Sequence, residues 1–419
     1  MTTPAPFEVA WTEADVAEIL RRVREYPFPV APIEGGWGCG TDPVFLRELC
    51  AHWTDGYDWR GAMADLNRFP QFMARVEDFD LHFVHLVGEA GGRRPLLLTH
   101  GWPGSHYEFW GAAERLAFPG RFGGDPADAF DLVIPSLPGF GFSSKPARPF
   151  GQRATARLFN SLMTEVLGYQ TYLAQGGDWG ALVTSWLGHD HGSHARAIHL
   201  NMIGLRPFGP PQSQDEIDWI ARTGAAGDLM GAYLRLQVSK PQSVAWLGAG
   251  NPVGQAAWIV ERFHDWADLR EKPFTDVFSL DQLLTNVMIY VMTGSFTTGA
   301  WYYRALIEEG GIVLPEGTRC ETPTPSPTSR ARRSIPLRRA VGRSAPTTSA
   351  AGPTCRRADT SRRWRSRSCS STRCGRGREA SSLPPRMGRA DARYARRVGN
   401  PVGTGRDRAA LSALTVGSR

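Results

Sequence analysis

After Thr318 the chain runs out of the residues that make a core. Leu, Ile, Val and Phe supply 9 of the 101 residues from Arg319 to Arg419, and the aromatic residues there shrink to Trp364 and Tyr394. Such a composition buries too little apolar surface to offset the entropy of ordering the chain. A folded body must therefore come from residues 1–318, which hold 13 of the 14 Trp and all 20 Phe. Charge divides at the same place. Residues 319–419 carry 24 Arg, no Lys and five acids, a net of +19, whereas the preceding residues carry 24 basic against 36 acidic groups, a net of −12. The overall +7 thus averages two unlike sequences and says nothing about the partners of the folding part.

No stretch reaches the roughly 18 apolar residues that span a bilayer, and Met1–Pro6 has neither the basic flank nor the apolar run of a secretion signal. The expectation is a cytoplasmic protein. Thr12 and Asp15 form a capping-box pattern ahead of Val16, Ile19, Leu20 and Val23 at helical spacing, and Phe45–Leu49 marks a second helix. No strong strand is legible before residue 80. From there, short apolar runs separated by Gly/Pro turns (Leu81–Val87, Pro95–Thr99, Asp131–Pro135, Thr171–Ala174, Ala197–Met202), with a helical stretch from Ala154 to Leu167, predict an α/β class fold, a doubly wound, mostly parallel sheet. Residues 212–308 carry helical patterns without strand signals. The expected organisation is an N-terminal extension (1–80), a core (81–205), a helical cap (206–308), a return toward the core (309–318) and a disordered Arg-rich tail (319–419).

Three segments could carry chemistry. Gly176-Gly177-Asp178-Trp179-Gly180 follows a short strand and precedes the helical run Ala181-Leu182-Val183, the strand–turn–helix setting of a nucleophile elbow with a carboxylate in place of the hydroxyl. Taken alone, a Gly-x-Asp-x-Gly pattern is more often a helix N-cap. His100-Gly101-Trp102-Pro103-Gly104-Ser105 leaves the end of an apolar strand, where α/β sheets place their sites. Its backbone N–H groups could face a developing oxyanion together with that of Trp179. Pro138–Ser144 also follows a strand, but lacks the Lys-Ser/Thr of a P-loop and the third Gly of a dinucleotide fingerprint.

In this order the segments resemble the epoxide hydrolases of the α/β-hydrolase superfamily, specifically the microsomal type with its N-terminal extension. The resemblance covers about residues 5–318 and includes Pro6-Phe7, Tyr57-Asp58-Trp59-Arg60 and Leu66-Asn67-Arg68-Phe69-Pro70. It implies an α/β-hydrolase core under a helical lid, Asp178 as nucleophile, and Trp102 and Trp179 as donors of the oxyanion-hole N–H groups. Two lid tyrosines are implied as well. Tyr233, in Tyr233–Pro241, fits the first; in Trp301-Tyr302-Tyr303-Arg304, Tyr303 fits the second better than Tyr302. Without those flanking motifs, each would read as a buried ring with a satisfied hydroxyl. The implied partners are a small apolar epoxide and water; no cofactor, metal, nucleic acid or membrane is called for, and the oligomeric state is left open. The implied biology is detoxification or aromatic hydrocarbon catabolism.

One part of that pattern is absent. The family's general base is a His in a Gly-Gly-His-Phe-like motif near the C-terminus, oriented by an earlier acid, and this sequence has no His after His264. Codon arithmetic offers a reason. Arg357–Arg365 can be encoded so that the neighbouring frame reads Gly-Gly-His-Phe-Ala-Ala-Met-Glu, and Pro327–Arg332 so that it reads Asp-Phe-Pro-Arg-Glu. A frameshift in GC-rich DNA, beginning near residues 318–321, accounts for both readings and for 45 Arg against three Lys. The chain as written is then expected to stall at an Asp178 ester, and to lack the last strands of the sheet. A haloalkane dehalogenase, which shares the Asp nucleophile, and a non-catalytic ligand-binding protein remain as alternatives. Cys320, Cys355, Cys369 and Cys374 lack the paired spacing of a zinc site, and Cys39 and Cys50 read as reduced structural thiols.

Overall fold

The computed structural model describes residues 3–29, 35–91 and 94–324. The Arg-rich tail beyond Thr324, with Cys355, Cys369, Cys374 and both neighbouring-frame motifs, lies outside the described residues.

A single seven-stranded sheet runs β1 (Ala5–Phe7), β2 (Gln71–Val76), β3 (Phe79–Leu86), β4 (Pro95–Thr99), β5 (Asp131–Pro135), β6 (Tyr172–Gly176) and β7 (Ala195–Leu200), in the spatial order β1-β2-β3-β5-β4-β6-β7. The pairs β4–β5, β4–β6 and β6–β7 are parallel; β1–β2, β2–β3 and β3–β5 are antiparallel. The sheet is therefore mixed, parallel in its C-terminal half as the apolar runs predict. The antiparallel half contains two strands, β1 and β2, in the stretch where no strong strand is legible. At three residues β1 is too short to show a period, and β2 begins beside the Pro70 turn with only a partial alternation.

The extension supplies α1 (Glu13–Arg24), α2 (Pro43–Asp55) and α3 (Trp59–Leu66). Thr12 caps α1 as the sequence predicts, accepting from Asp15 N–H at 3.1 Å, and Val16, Ile19 and Val23 are buried. In the core, α4 (Trp110–Ala117), α5 (Gln152–Ser161) and α6 (Trp179–Asp190) connect the strands. After α5 the chain makes a π-helical turn over Leu162–Val166, where the sequence suggests one continuous helix.

Between β7 and the return stand α7 (Gln214–Met230), α8 (Ala232–Ser239), α9 (Pro241–Gly248), α10 (Pro252–Trp266), α11 (Phe274–Val277), α12 (Leu280–Thr293) and α13 (Ser295–Glu308). Glu309, just past α13, accepts from the N–H groups of Arg153 and Ala154 at 2.8 and 3.0 Å, capping α5 from across the chain. Residues 319–324 do not leave the fold at once: Thr322 is buried, and Ile198 N–H of β7 donates to Pro323 O at 2.9 Å.

Candidate active site

Strand register brings the two glycine-rich motifs together. In the parallel pair β4–β6, Leu98 faces Gln175 and Thr99 faces Gly176, so both strands end at one level. Two residues farther along β6's exit stands Asp178, and β4's exit is the His100–Ser105 loop. Such an adjoining pair of strand ends is where α/β sheets build sites.

Asp178 has φ 49° and ψ −124°, a conformation costly for a side chain other than Gly and typical of functional turns. Glycines make the turn possible. A Cβ on Gly180 would lie 1.9 Å from Thr99 O, and one on Gly176 would lie 2.1 Å from Gly180 O; neither position can hold a larger residue. Gly101 is closed in the same way, since a Cβ there would lie 2.4 Å from Asp178 Cβ. Trp102 N–H donates to Asp178 Oδ1 at 2.8 Å. Burial raises the Asp178 pKa to about 6, and the N–H groups of Trp102 and Trp179 pull in the opposite direction. Above that value the carboxylate is ionised and can act as a nucleophile, with the two predicted oxyanion-hole donors at its side.

Above Asp178 the cap contributes an aromatic box. The Trp102 ring stacks on Tyr233 at 5.4 Å, and Tyr303 meets Trp102, Trp179 and Tyr233 edge-on at 5.5, 4.5 and 5.9 Å. Tyr302 and Tyr303 are equally buried, but their hydroxyls differ. Tyr302 Oη donates to Thr155 Oγ1 at 2.9 Å, whereas Tyr303 Oη is buried without a well-formed hydrogen bond. The phenols of Tyr233 and Tyr303 are close enough to perturb each other's ionisation. Burial and the Asp178 charge, together with that mutual effect for Tyr303, hold both protonated well past neutral pH. They can donate a proton or a hydrogen bond.

Helix α12 clamps the His100–Ser105 loop, a role that sequence reasoning does not assign. Tyr290 Oη donates to Gly104 O at 2.7 Å, Asn286 Nδ2 to Pro103 O at 2.8 Å, and Ser105 Oγ to Asn286 Oδ1 at 2.9 Å. Glu108 is missed as well. Its carboxyl lies against the loop: a Cβ on Gly104 would lie 2.3 Å from Glu108 Oε2, and the nearby Gly101 N–H favours its ionised form. The residue keeps an exposed surface, yet surrounding protein and the Asp178 charge raise its pKa to about 8.

None of the ten histidines is arranged as a base toward Asp178. His100 opens the loop that bonds Asp178, but its Nδ1 faces Gly101 O at 3.0 Å and its Nε2 accepts from Leu137 N–H at 3.1 Å, and burial lowers its pKa to about 4. His82 and His106 share Ser136 Oγ in a buried network. His52, His85, His189, His194 and His264 bond to Asp281, Tyr169, Asp190, Asn160 and Asp265. Burial lowers the His191 pKa, and His199 lies on β7. Among the described residues no group of His, Cys, Asp and Glu could hold a metal ion.

Two family models match, "Epoxide hydrolase N terminus" over residues 4–109 and "alpha/beta hydrolase fold" over 94–228. Epoxide hydrolase 1 of Sus scrofa is 30% identical over 347 residues, 76% of each chain. The chain belongs to the epoxide hydrolase family. Solved epoxide hydrolases superpose accordingly: Aspergillus niger epoxide hydrolase has a TM-score of 0.63 at 31% identity, covering 73% of this chain and 80% of its own. The juvenile hormone epoxide hydrolase of Bombyx mori gives 0.64 at 28%, covering 73% and 77%. The expected α/β-hydrolase core with an epoxide-hydrolase extension is thereby borne out. No helix among the described residues is long and apolar enough to cross a membrane.

Proposed function

We propose that this epoxide hydrolase opens a small apolar epoxide through a covalent ester on Asp178. The carrying observation is the Trp102 N–H donated to Asp178 Oδ1 at 2.8 Å, which ties the strained elbow to the oxyanion loop. Asp178 attacks a ring carbon, the C–O bond breaks, and the leaving oxygen takes a proton from Tyr233 or Tyr303. Tyr303 supports that role through a buried hydroxyl without a well-formed hydrogen bond. Water then attacks the Asp178 carbonyl carbon, with the negative charge of the tetrahedral intermediate held by the N–H groups of Trp102 and Trp179. The product is a vicinal diol, and no cofactor takes part. The aromatic box favours an apolar substrate.

The second step is where this chain is weak. With no His directed at the ester, release is slow and the ester accumulates. We attribute the loss to a shifted reading frame, in which Arg357–Arg365 stand where the neighbouring frame can encode Gly-Gly-His-Phe. Incubation with styrene oxide followed by peptide mass spectrometry tests the reading: a hydroxyalkyl adduct on Asp178 supports it, and a chain left unmodified while binding substrate overturns it.

A further inference from the structure

We propose that Glu108 is a catalytic residue of the second half-reaction, its carboxylate taking a proton from the water that attacks the Asp178 ester. The proposal rests on the ester mechanism above and names a group to act in its second step, where no histidine is arranged toward Asp178.

The oxyanion loop holds two carboxyls by consecutive N–H groups, Gly101 toward Glu108 and Trp102 toward Asp178. Gly101 packs directly against Asp178, and Gly104, three residues on, against Glu108. Neither carboxyl has a cationic partner among the interactions that set its ionisation. Two carboxyls so placed do not ionise independently. Asp178 accepts from two N–H groups and carries the charge, while Glu108, with one N–H and that charge nearby, keeps its proton at neutral pH. Alkylation reverses the balance. The ester is neutral, the charge that held the proton on Glu108 is gone, and the carboxyl is free to ionise on its exposed side, where water can enter. A base whose proton affinity lies near neutral is the kind best suited to activating water.

The protons balance. Ring opening leaves a tyrosinate, which recovers its proton as Glu108 ionises. Water oxygen bonds to the Asp178 carbonyl carbon while its proton passes to Glu108. Collapse of the tetrahedral intermediate breaks the bond to the alkyl oxygen, which takes that proton to complete the diol. The regenerated Asp178 acid then returns its own proton to Glu108.

The test follows the decay of the Asp178 ester in the full chain after a pulse of styrene oxide and removal of excess epoxide, from pH 5 to 9. The ester should decay slowly, faster as pH rises and then level. Glu108→Gln keeps an oxygen acceptor for Gly101 N–H; it should form the ester within about twofold of the parent but release it at least ~10-fold more slowly, within the range of a lost general base. Hydroxylamine, which needs no base, should release both esters equally and so report an intact site. Parental decay that is flat with pH, or a Glu108→Gln ester that decays at the parental rate, overturns the proposal. A parent that never forms an ester overturns the epoxide-opening reading itself.

Discussion

Strand β4, which carries the oxyanion loop, and β7, the last strand of the sheet, are held very differently. β4 lies between β5 and β6 with all five of its residues buried, and the elbow leaves its neighbour at the matching level. On one side of β7 lies β6; on the other, among the described residues, there is a backbone hydrogen bond from Ile198 N–H to Pro323 O and little besides. The groups proposed to make the ester stand in the first region and on cap helices α8 and α13. The family's ester-breaking His would follow the second. In the proposed mechanism, forming the bond to substrate draws on doubly supported strand ends, whereas the rate that a His would add to the second step lies past the edge.

Restoring the frame is the strongest way to break that contrast. A coding sequence corrected between the codons for Gly310 and Arg365, so that Gly-Gly-His-Phe is read, should raise steady-state diol formation by ~10²–10⁴-fold, the usual contribution of a positioned general base. A corrected protein no faster than the parent would sink the frameshift explanation. On the supported side, Gly180→Ala should be among the most damaging single changes. The new Cβ would collide with Thr99 O, and overpacking at a rigid backbone contact costs about 1–3 kcal/mol or more. Loss of soluble protein, or a fall in Tm by several degrees, checks it; an unchanged Tm would show that the β4–elbow contact is looser than described.

The tyrosines sharpen the comparison further. Tyr303→Phe should slow ester formation ~10–100-fold with little effect on Tm, because its hydroxyl makes no well-formed hydrogen bond to lose. Tyr302→Phe should do the reverse, leaving the rate near parental and costing about 1 kcal/mol through the lost bond to Thr155. Burst kinetics and thermal melts on the pair separate the roles, and equal rates for both variants would remove Tyr303 from the chemistry.

What was legible in the sequence follows from range. The elbow could be read because its constraint is local: Gly176 and Gly180 admit no Cβ, and both lie within two residues of the side chain they serve. Trp102 and Trp179 follow from the same two motifs. The loop clamp was not legible, since Asn286 and Tyr290 meet Pro103 and Gly104 across more than 180 residues of chain and nothing near them marks the contact. Glu108 sits in no motif that marks it; only the fold brings its carboxyl against Gly104 and near Gly101. The segment after Thr318 shows the opposite limit, because composition alone cannot reveal that Thr322 and Pro323 still pack along β7.

The smallest effect concerns stability and pH. Asp178 ordinarily ionises near 3.8, and in the fold near 6. Between those values the native state binds more protons than the unfolded chain, so this group's contribution to stability falls as pH rises from about 4 through about 6 and stays low above. The full shift would be worth at most about 3 kcal/mol, and less here because Asp178 is only partly buried. Asp178→Asn cannot form the ester, but it is also spared that loss. Its Tm should match the parent at pH 4 and exceed it by a few degrees at pH 7, with the gap opening between about pH 4 and pH 6 and constant above. A constant difference across the range would mean that the two N–H groups, rather than burial, dominate the carboxylate, and the nucleophile would then be ready at lower pH than its surroundings suggest.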